Sequence, residues 1–312
     1  MHSEAVAVLA LLMTPGAGNV TVNQALGSAR RSGVSLGKLL AMSPQDVVEA
    51  LPPGSGDVAY VLSHCPAEGL ERAARLVDRA ARSGVQAIVA GDGDYPESFQ
   101  PCLGTSAPPI LFVAGDVELL AMQCAGIVGA RHASQSGLLL AAECAQVFAE
   151  ADVPVVSGGA KGVDSAAHGA VLANGGRTVV VLAEGLLRWK SPKGVLEVVE
   201  EGRATLISEF SPEAAWSTHA AVTRNATISA LSTMLCVIEP RKEGGSIRTA
   251  RCGMDQGKRV LVHAARDDAT AAAGLCKRGA LPLVEDGSFD AKRLAECWES
   301  AGAGGPAQQD LF

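Results

Sequence analysis

Three glycine-rich stretches carry residue types that could do chemistry. The first is Gly129-Ala130-Arg131-His132-Ala133-Ser134, with Gly137 just beyond it. The second is Ser157-Gly158-Gly159-Ala160-Lys161-Gly162-Val163-Asp164, and the third Gly244-Gly245-Ser246-Ile247-Arg248-Thr249-Ala250. Each follows an apolar run and opens a segment of helical periodicity. Glycine lets backbone approach a ligand closely. The first amides of a helix lack intrahelical partners and sit at the positive end of its dipole, so such a loop favours an anion. Arg131, Lys161 and Arg248 add formal charge. A strand-to-helix turn needs glycine whatever it binds, so one such loop says little; three, each with a basic residue, point to phosphate. There is no G-x-x-x-x-G-K-[ST] and no G-x-G-x-x-G, which disfavours Walker-type hydrolysis and gives a dinucleotide cofactor little support. Glu184 stands after a strand about 20 residues past the second loop, where a ribose-binding acid can sit, and keeps a nucleotide reading open.

Other constellations are weaker. Seven basic residues (Arg224, Arg241, Lys242, Arg248, Arg251, Lys258 and Arg259) face only Glu239, Glu243 and Asp255 in the window 224–259. That window reads as a patch able to follow a sugar-phosphate backbone, giving affinity with little sequence readout. Asp164 and His168 are four apart on one helix and could interact; the plainer reading is a first-turn carboxylate and a packed histidine. No Ser or Cys is paired with an evident base. The eight cysteines (65, 102, 124, 144, 236, 252, 276, 297) show no C-x-x-C spacing, so neither a metal site nor a redox pair is expected. A non-enzymatic binding protein without cofactor or metal is the expectation.

The elements that must position these loops follow from periodicity. Residues 1–84 read as a helical domain: Ala5–Met13 is a helix, Asn19 caps the next, Ser43-Pro44 opens another, and Leu70, Ala73, Ala74, Val77, Ala80 and Ala81 keep helical spacing up to Gly84. From residue 85 short apolar strands alternate with helices. The predicted strands are Gln86–Ala90, Ile110–Val113, Ala125–Gly129, Val153–Ser157, Thr178–Ala183, Ala204–Ser208, Met234–Glu239 and Arg259–His263. The predicted helices are Ser134–Ala151, Val163–Ala173, Lys193–Glu201, Val222–Leu231 and Ser246–Gln256, with one or two more in 265–300. Continuous apolar strands between helices give an α/β fold with a mostly parallel sheet covered on both faces. In such a sheet the loops fall at the carboxyl ends of the strands, where ligands bind. Residues 85–300 therefore form the expected binding domain, and 301–312 a flexible tail that opens with a Gly, Ala and Pro linker over 301–307.

Composition sets the limits. The chain has 312 residues, 48% of them hydrophobic and 19% charged, ample for a packed core. At 4% aromatic it is poorly equipped for a surface built of stacked rings. A net charge of −7 excludes coating nucleic acid by bulk positive charge, so any polyanion must meet a local basic site. The longest apolar run, Ala5–Met13, is far short of the ~20 residues of a membrane span. Glu4 precedes it with no Lys or Arg, unlike a signal peptide, and the scattered cysteines suit a reducing cytoplasm.

These residues together resemble the DNA-processing protein A (DprA/Smf) family of bacterial natural transformation. Gly126-Ile127-Val128-Gly129-Ala130-Arg131 is similar to its A-I-V-G-S-R stretch, and Ser157 through His168 to S-G-x-A-x-G-I-D-x-x-A-H. Arg224-Asn225-Ala226-Thr227-Ile228-Ser229-Ala230-Leu231-Ser232 is similar to R-N-R-I-I-[AS]-x-L-S, and Gly244 through Ala250 to S-G-[ST]-x-x-T-A. Gly93-Asp94-Tyr95-Pro96 and Pro108-Pro109-Ile110-Leu111-Phe112 resemble D-Y-P and P-P-x-L-[FY] elements. The resemblance covers residues 5 to about 285. It implies an extended Rossmann-like, doubly wound domain preceded by a small SAM/helix-hairpin-helix-like helical domain. It also implies single-stranded DNA binding, a homodimer, and help in loading a RecA-type recombinase. Carried over residue by residue, the DNA-phosphate site comprises Gly129, Arg131, Ser157, Gly158, Gly159, Lys161, Gly162, Arg224, Asn225, Gly245, Ser246 and Arg248.

The chain departs from the family pattern in three places. Ala226 replaces the second Arg of R-N-R. Ala183-Glu184-Gly185-Leu186-Leu187-Arg188-Trp189-Lys190 replaces a G-T-G-x-D-x-x-Y-P stretch, with Arg188 and Lys190 as compensating charges and Trp189 as a stacking residue. Only 23 residues follow Phe289, so the winged-helix domain that many members carry is not expected. The final Gln308-Gln309-Asp310-Leu311-Phe312 resembles the Q-L-[SD]-L-F peptide that docks on the bacterial sliding clamp, with Gln308, Leu311 and Phe312 as anchors. Three readings follow: a DprA-type single-stranded DNA-binding protein; a nucleotide enzyme or sensor using the same loops with Glu184, Asp164 and His168; and a clamp-to-recombinase scaffold.

Overall fold

The computed structural model describes residues 3–52, 54–192, 194–265 and 269–303. Contacts divide the chain into two units: 1–114 with 184–190 and 207–215, and 115–183 with 191–206 and 216–312.

The first unit opens with six helices: α1 (Glu4–Leu12), α2 (Asn19–Arg31), α3 (Leu36–Leu39), α4 (Pro44–Ala50), α5 (Gly56–Ser63) and α6 (Ala67–Arg82). Caps set several of their starts. Ser3, Ser35 and Ser43 accept from the amides of Val6, Lys38 and Asp46, and Pro44 occupies the first turn of α4. Helix α1 is buried on nearly every side, from Val6 to Leu11, as befits a helix apolar all round. After α6 come β1 (Gln86–Val89), α7 (Phe99–Leu103) and β2 (Ile110–Ala114), with β1 and β2 antiparallel. Val85, Val89, Ile110 and Phe112 join the core of α1. The change of texture at residue 85 therefore does not mark a break in packing: these strands bury their apolar face against the helices before them.

The second unit comprises β3 (Cys124–Gly129), α8 (Gln135–Glu150), β4 (Val155–Gly158), α9 (Val163–Ala173), β5 (Thr178–Val181), α10 (Val195–Glu200), most of β6 (Ala204–Ser208, whose last two residues fall to the first unit), α11 (Thr218–Leu231), β7 (Ser232–Ile238), α12 (Gly245–Asp255), β8 (Arg259–His263), α13 (Thr270–Cys276), β9 (Leu281–Pro282), β10 (Val284–Glu285), β11 (Ser288–Phe289) and α14 (Ala291–Ala303). Its sheet runs β6-β5-β4-β3-β7-β8-β9. The registers of β3 with β4 and β7, of β4 with β5, of β7 with β8 and of β8 with β9 are all parallel. Alternate residues face opposite ways. Ala125, Ile127, Met234, Cys236 and Ile238 meet Leu140, Cys144 and Phe148 of α8 and Val163, Ala167 and Val171 of α9. The other face takes α12, where a side chain on Gly253 would strike Leu235. The sheet is doubly wound and mostly parallel, as the strand pattern predicts.

Two expectations need correction. Residues 265–300 are not helices alone: β9 extends the sheet and β10-β11 form a two-stranded ribbon, pieces too short to leave a periodic signal. Helix α11 begins at Thr218, four residues before Val222, because the Ser217 hydroxyl accepts from the Ala220 amide. Among the described residues no helix is long and apolar enough to cross a membrane. All eight cysteines are free.

Candidate functional site

The three glycine-rich loops follow β3, β4 and β7, which are neighbours in the order β4-β3-β7. The chain leaves β3 toward β4 on one side and later returns to β7 on the other. The gap between the β3 and β7 loops is thus the switch point at which open parallel sheets bind ligands.

Backbone contact welds the first two loops together. The Val163 amide donates to the Ala130 carbonyl at 3.2 Å, and Ala130 donates to Ile238 at 3.1 Å. Gly162 has φ +85° and its Cα lies so close to the Ala130 and Arg131 carbonyls that a Cβ would fall 2.3 and 2.5 Å from their oxygens. Only glycine serves there. Arg131 and Lys161 are exposed on these adjoining loops. The Arg131 guanidinium lies 5.8 Å from the ring centroid of Trp216, a cation–π contact on a ring 49% exposed. In the third loop the Gly245 carbonyl accepts from Asn225 Nδ2 at 3.4 Å and from Thr249 Oγ1 at 3.1 Å. Arg248 is exposed in the first turn of α12, Ser246 is half-buried, and Arg241 and Lys242 are exposed between β7 and α12. Neither Gly162, at the start of α9, nor Gly244, at the start of α12, supplies a side-chain cap.

Several expected ligands turn out to be foundations. Arg224 is 6% exposed, and Nη1 donates to the Val181 carbonyl at 2.9 Å. Its guanidinium lies against Gly158, where a Cβ would come within 1.6 Å of Nη1. It therefore supports the second loop from beneath. Ser157 is fully buried and donates to the Ile127 carbonyl. Asp164 lies in the same layer, and burial lifts its carboxyl to about 6 against the opposing pull of Arg224 and of the Ala160 amide. His168 does not pair with Asp164: Nδ1 lies 2.7 Å from Thr178 Oγ1 and Nε2 3.0 Å from the Gly158 carbonyl. Burial holds its pKa down at about 4. Both ring nitrogens are thus engaged in structure. Glu184 belongs to the first unit, so the constellation of the nucleotide-enzyme reading is not assembled within the second.

The basic window 224–259 is dispersed as well. Arg259 begins β8, at the end of the sheet away from the loops, and Nη1 donates to the Cys297 carbonyl on α14. The exposed cations of the crest are Arg131, Lys161, Arg241, Lys242 and Arg248.

One acid on the crest escaped sequence reasoning. Glu239, directly after β7, is 5% exposed and has φ +50°. Its carboxylate accepts from the Ser134 amide at 2.8 Å and from the Ser134 hydroxyl. It fits because Gly137 has no side chain; a Cβ there would lie 2.7 Å from the carboxyl carbon. The start of α8, expected to be open to an anion, is filled by this internal one. The available signal was an acid at a strand end between apolar residues. Trp216, likewise missed, stood out as one of three tryptophans, just before a helix cap.

A sequence profile described as DNA recombination-mediator protein A matches residues 86–295. This chain belongs to that family. The family is one of DNA-processing proteins, and its match takes in all three loops. Relatives include the DNA processing protein DprA of Streptococcus pneumoniae (strain R6), 33% identical over 157 residues, which are 50% of this chain and 55% of the relative. The chain thus spans about half the length of that relative. The X-ray structure of DprA from S. pneumoniae superposes with a TM-score of 0.68 at 24% identity, over 89% of this chain and 93% of that one. A structure of DprA from Helicobacter pylori, described for its single-stranded DNA binding mode, gives a TM-score of 0.57 at 20% identity, over 69% and 96%. These two neighbours share the DprA fold. The expected tail anchors Gln308, Leu311 and Phe312 lie outside the described residues.

Proposed function

We propose that this family member binds single-stranded DNA along the crest formed by the β3, β4 and β7 loops. The observation that carries the reading is the adjacency of three glycine-rich loops about a switch point, rimmed by Arg131, Lys161 and Arg248. The start of α12, where Gly244 and Gly245 are exposed, suits a phosphate oxygen. The cations supply affinity without reading sequence. Trp216, beside Arg131, offers a face on which a base can stack. The H. pylori relative is itself described for single-stranded DNA binding, which supports carrying the ligand across. Arg224 and Asp164 act beneath, by shaping the second loop.

On this reading the protein works as a homodimer and hands the strand to a RecA-type recombinase, while residues 308–312 tether it to the sliding clamp. The crest reading is tested by titrating labelled single-stranded and duplex oligonucleotides at several salt concentrations. Lys161→Glu is expected to weaken single-strand binding about tenfold or more, alike for all sequences, and to reduce the log–log salt slope by about 0.7. Unchanged affinity in Lys161→Glu and Arg131→Glu would overturn the site.

A further inference from the structure

The first unit holds a cavity of about 700 Å³ lined by Met13, Arg72, Arg79, Leu187, Arg188, Ser211, Glu213 and Ala214, all residues of that unit. One wall is the 183–190 stretch in which the sequence departs from the family pattern. This wall is rigidly built. The Gly185 amide donates to Ala214, Leu187 to Pro212, and Arg188 and Trp189 to Gly185, each at 2.9–3.0 Å. A Cβ on Gly185 would fall 2.2 Å from the Pro212 carbonyl oxygen, so the two segments meet only because that residue is glycine. The opposite wall is α6, which presents Arg72 and, two turns on, Arg79.

The charges on α6 are unevenly matched. Arg75 pairs with Glu71, Arg82 with Asp78, and Arg79 with Glu213. Arg72 has no carboxylate within ion-pair reach among the described residues, and neither does Arg188. Two uncompensated guanidiniums therefore face a cavity whose remaining lining is part apolar (Met13, Leu187, Ala214) and part hydrogen-bonding (Ser211, Glu213). Cavities of ~300–1,000 Å³ take small organic ligands, and a bare inorganic anion would fill little of this one.

We propose that this cavity is a second ligand site, which takes a nucleoside 5′-monophosphate unit. Arg72 and Arg188 hold the phosphate, for which guanidinium geometry is suited. Met13, Leu187 and Ala214 contact the nucleoside, and Ser211 with Glu213 hydrogen-bond its polar edge. The unit can come as a free nucleotide or as the 5′-phosphorylated end of a strand. The inference uses none of the crest residues.

The test is calorimetric titration of the full chain carrying Lys161→Glu, so that crest binding is weakened. The titrants are thymidine 5′-monophosphate, thymidine, inorganic phosphate, and oligothymidylate with and without a 5′-phosphate. Binding of the monophosphate supports a free nucleotide as the source. Binding of the 5′-phosphorylated strand alone supports a strand end. In either case Arg72→Ala and Arg188→Ala should each lower affinity about tenfold or more, the usual effect of losing a charged hydrogen-bond donor. The proposal is overturned if neither titrant binds, if thymidine or phosphate alone binds as tightly, or if both arginine variants bind like the parent. Because Lys161→Glu is measured separately on single strands, failure of the crest reading and failure of this one are distinguishable.

Discussion

At Gly158 a hydrogen atom in place of a methyl group decides where a guanidinium can lie. Arg224 fills the space a Cβ would occupy, so Gly158→Ala must move either the arginine or the loop. It should lower stability by about 1–3 kcal/mol, the usual cost of overpacking, and weaken oligonucleotide binding with it. Gly169, within α9, is the control. A Cβ there meets nothing within 4 Å, so Gly169→Ala should stabilise by up to about 1 kcal/mol and leave binding alone. Urea melts and the same oligonucleotide titration check both. The glycines of the loops were legible in the sequence as loop makers, but their several duties were not. Gly158 and Gly137 make room for side chains from distant elements, Arg224 and Glu239, and no local pattern encodes such a partner.

Helix α9 carries a buried carboxyl and a half-buried imidazole of opposite habit. The Asp164 carboxyl sits at about 6 in the folded chain against 3.8 ordinarily. The folded state therefore binds more protons between these values, and this group's contribution to stability falls as pH rises from about 4 to 6. His168 sits at about 4 against 6.5. There the unfolded state binds more protons, so its contribution rises over nearly the same window. The two slopes offset. Asp164→Asn should unmask stability that increases with pH from about 4 to 6.5, and His168→Gln stability that decreases from about 4 to 6, each read from chemical melts at stepped pH. Two variants that both keep the parent's profile would refute this account. The element itself was plain in the sequence: the predicted span Val163–Ala173 is the observed one. Its i,i+4 spacing suggested that Asp164 and His168 meet, yet tertiary hydrogen bonds to Thr178 and Gly158 prevail. Helix α11 teaches the complementary lesson. Nine of its fourteen residues are buried, among them every residue from Thr227 to Leu231, and a helix without a continuous polar stripe is interior; that pattern, applied to Val222–Leu231, would have marked Arg224 as internal.

For the whole molecule, the strand pattern and the loop positions were readable because continuous apolar strands and glycine punctuation are local signals. The grouping of β1 and β2 with the N-terminal helices was not, since it depends on which apolar face meets which. The tail motif is a separate, modular prediction. Deleting residues 308–312 should abolish association with the sliding clamp in a pull-down and leave single-strand affinity unchanged. Loss of DNA affinity, or retained clamp binding, would count against an independent tether. Net charge bears on the crest too. In a chain of −7, five exposed cations act as a local field that added salt readily screens.

The Glu239 carboxylate has a further consequence. Because a side chain already neutralises the head of α8, dissolved phosphate or sulfate cannot claim it. On the proposed reading a lone anion meets few of the exposed crest cations at once, whereas a polymer of linked anions can meet several and collect the effective-concentration advantage of each further one. On that reading a preference for a strand over its monomers is expected to arise from valence, with no base needing to be read.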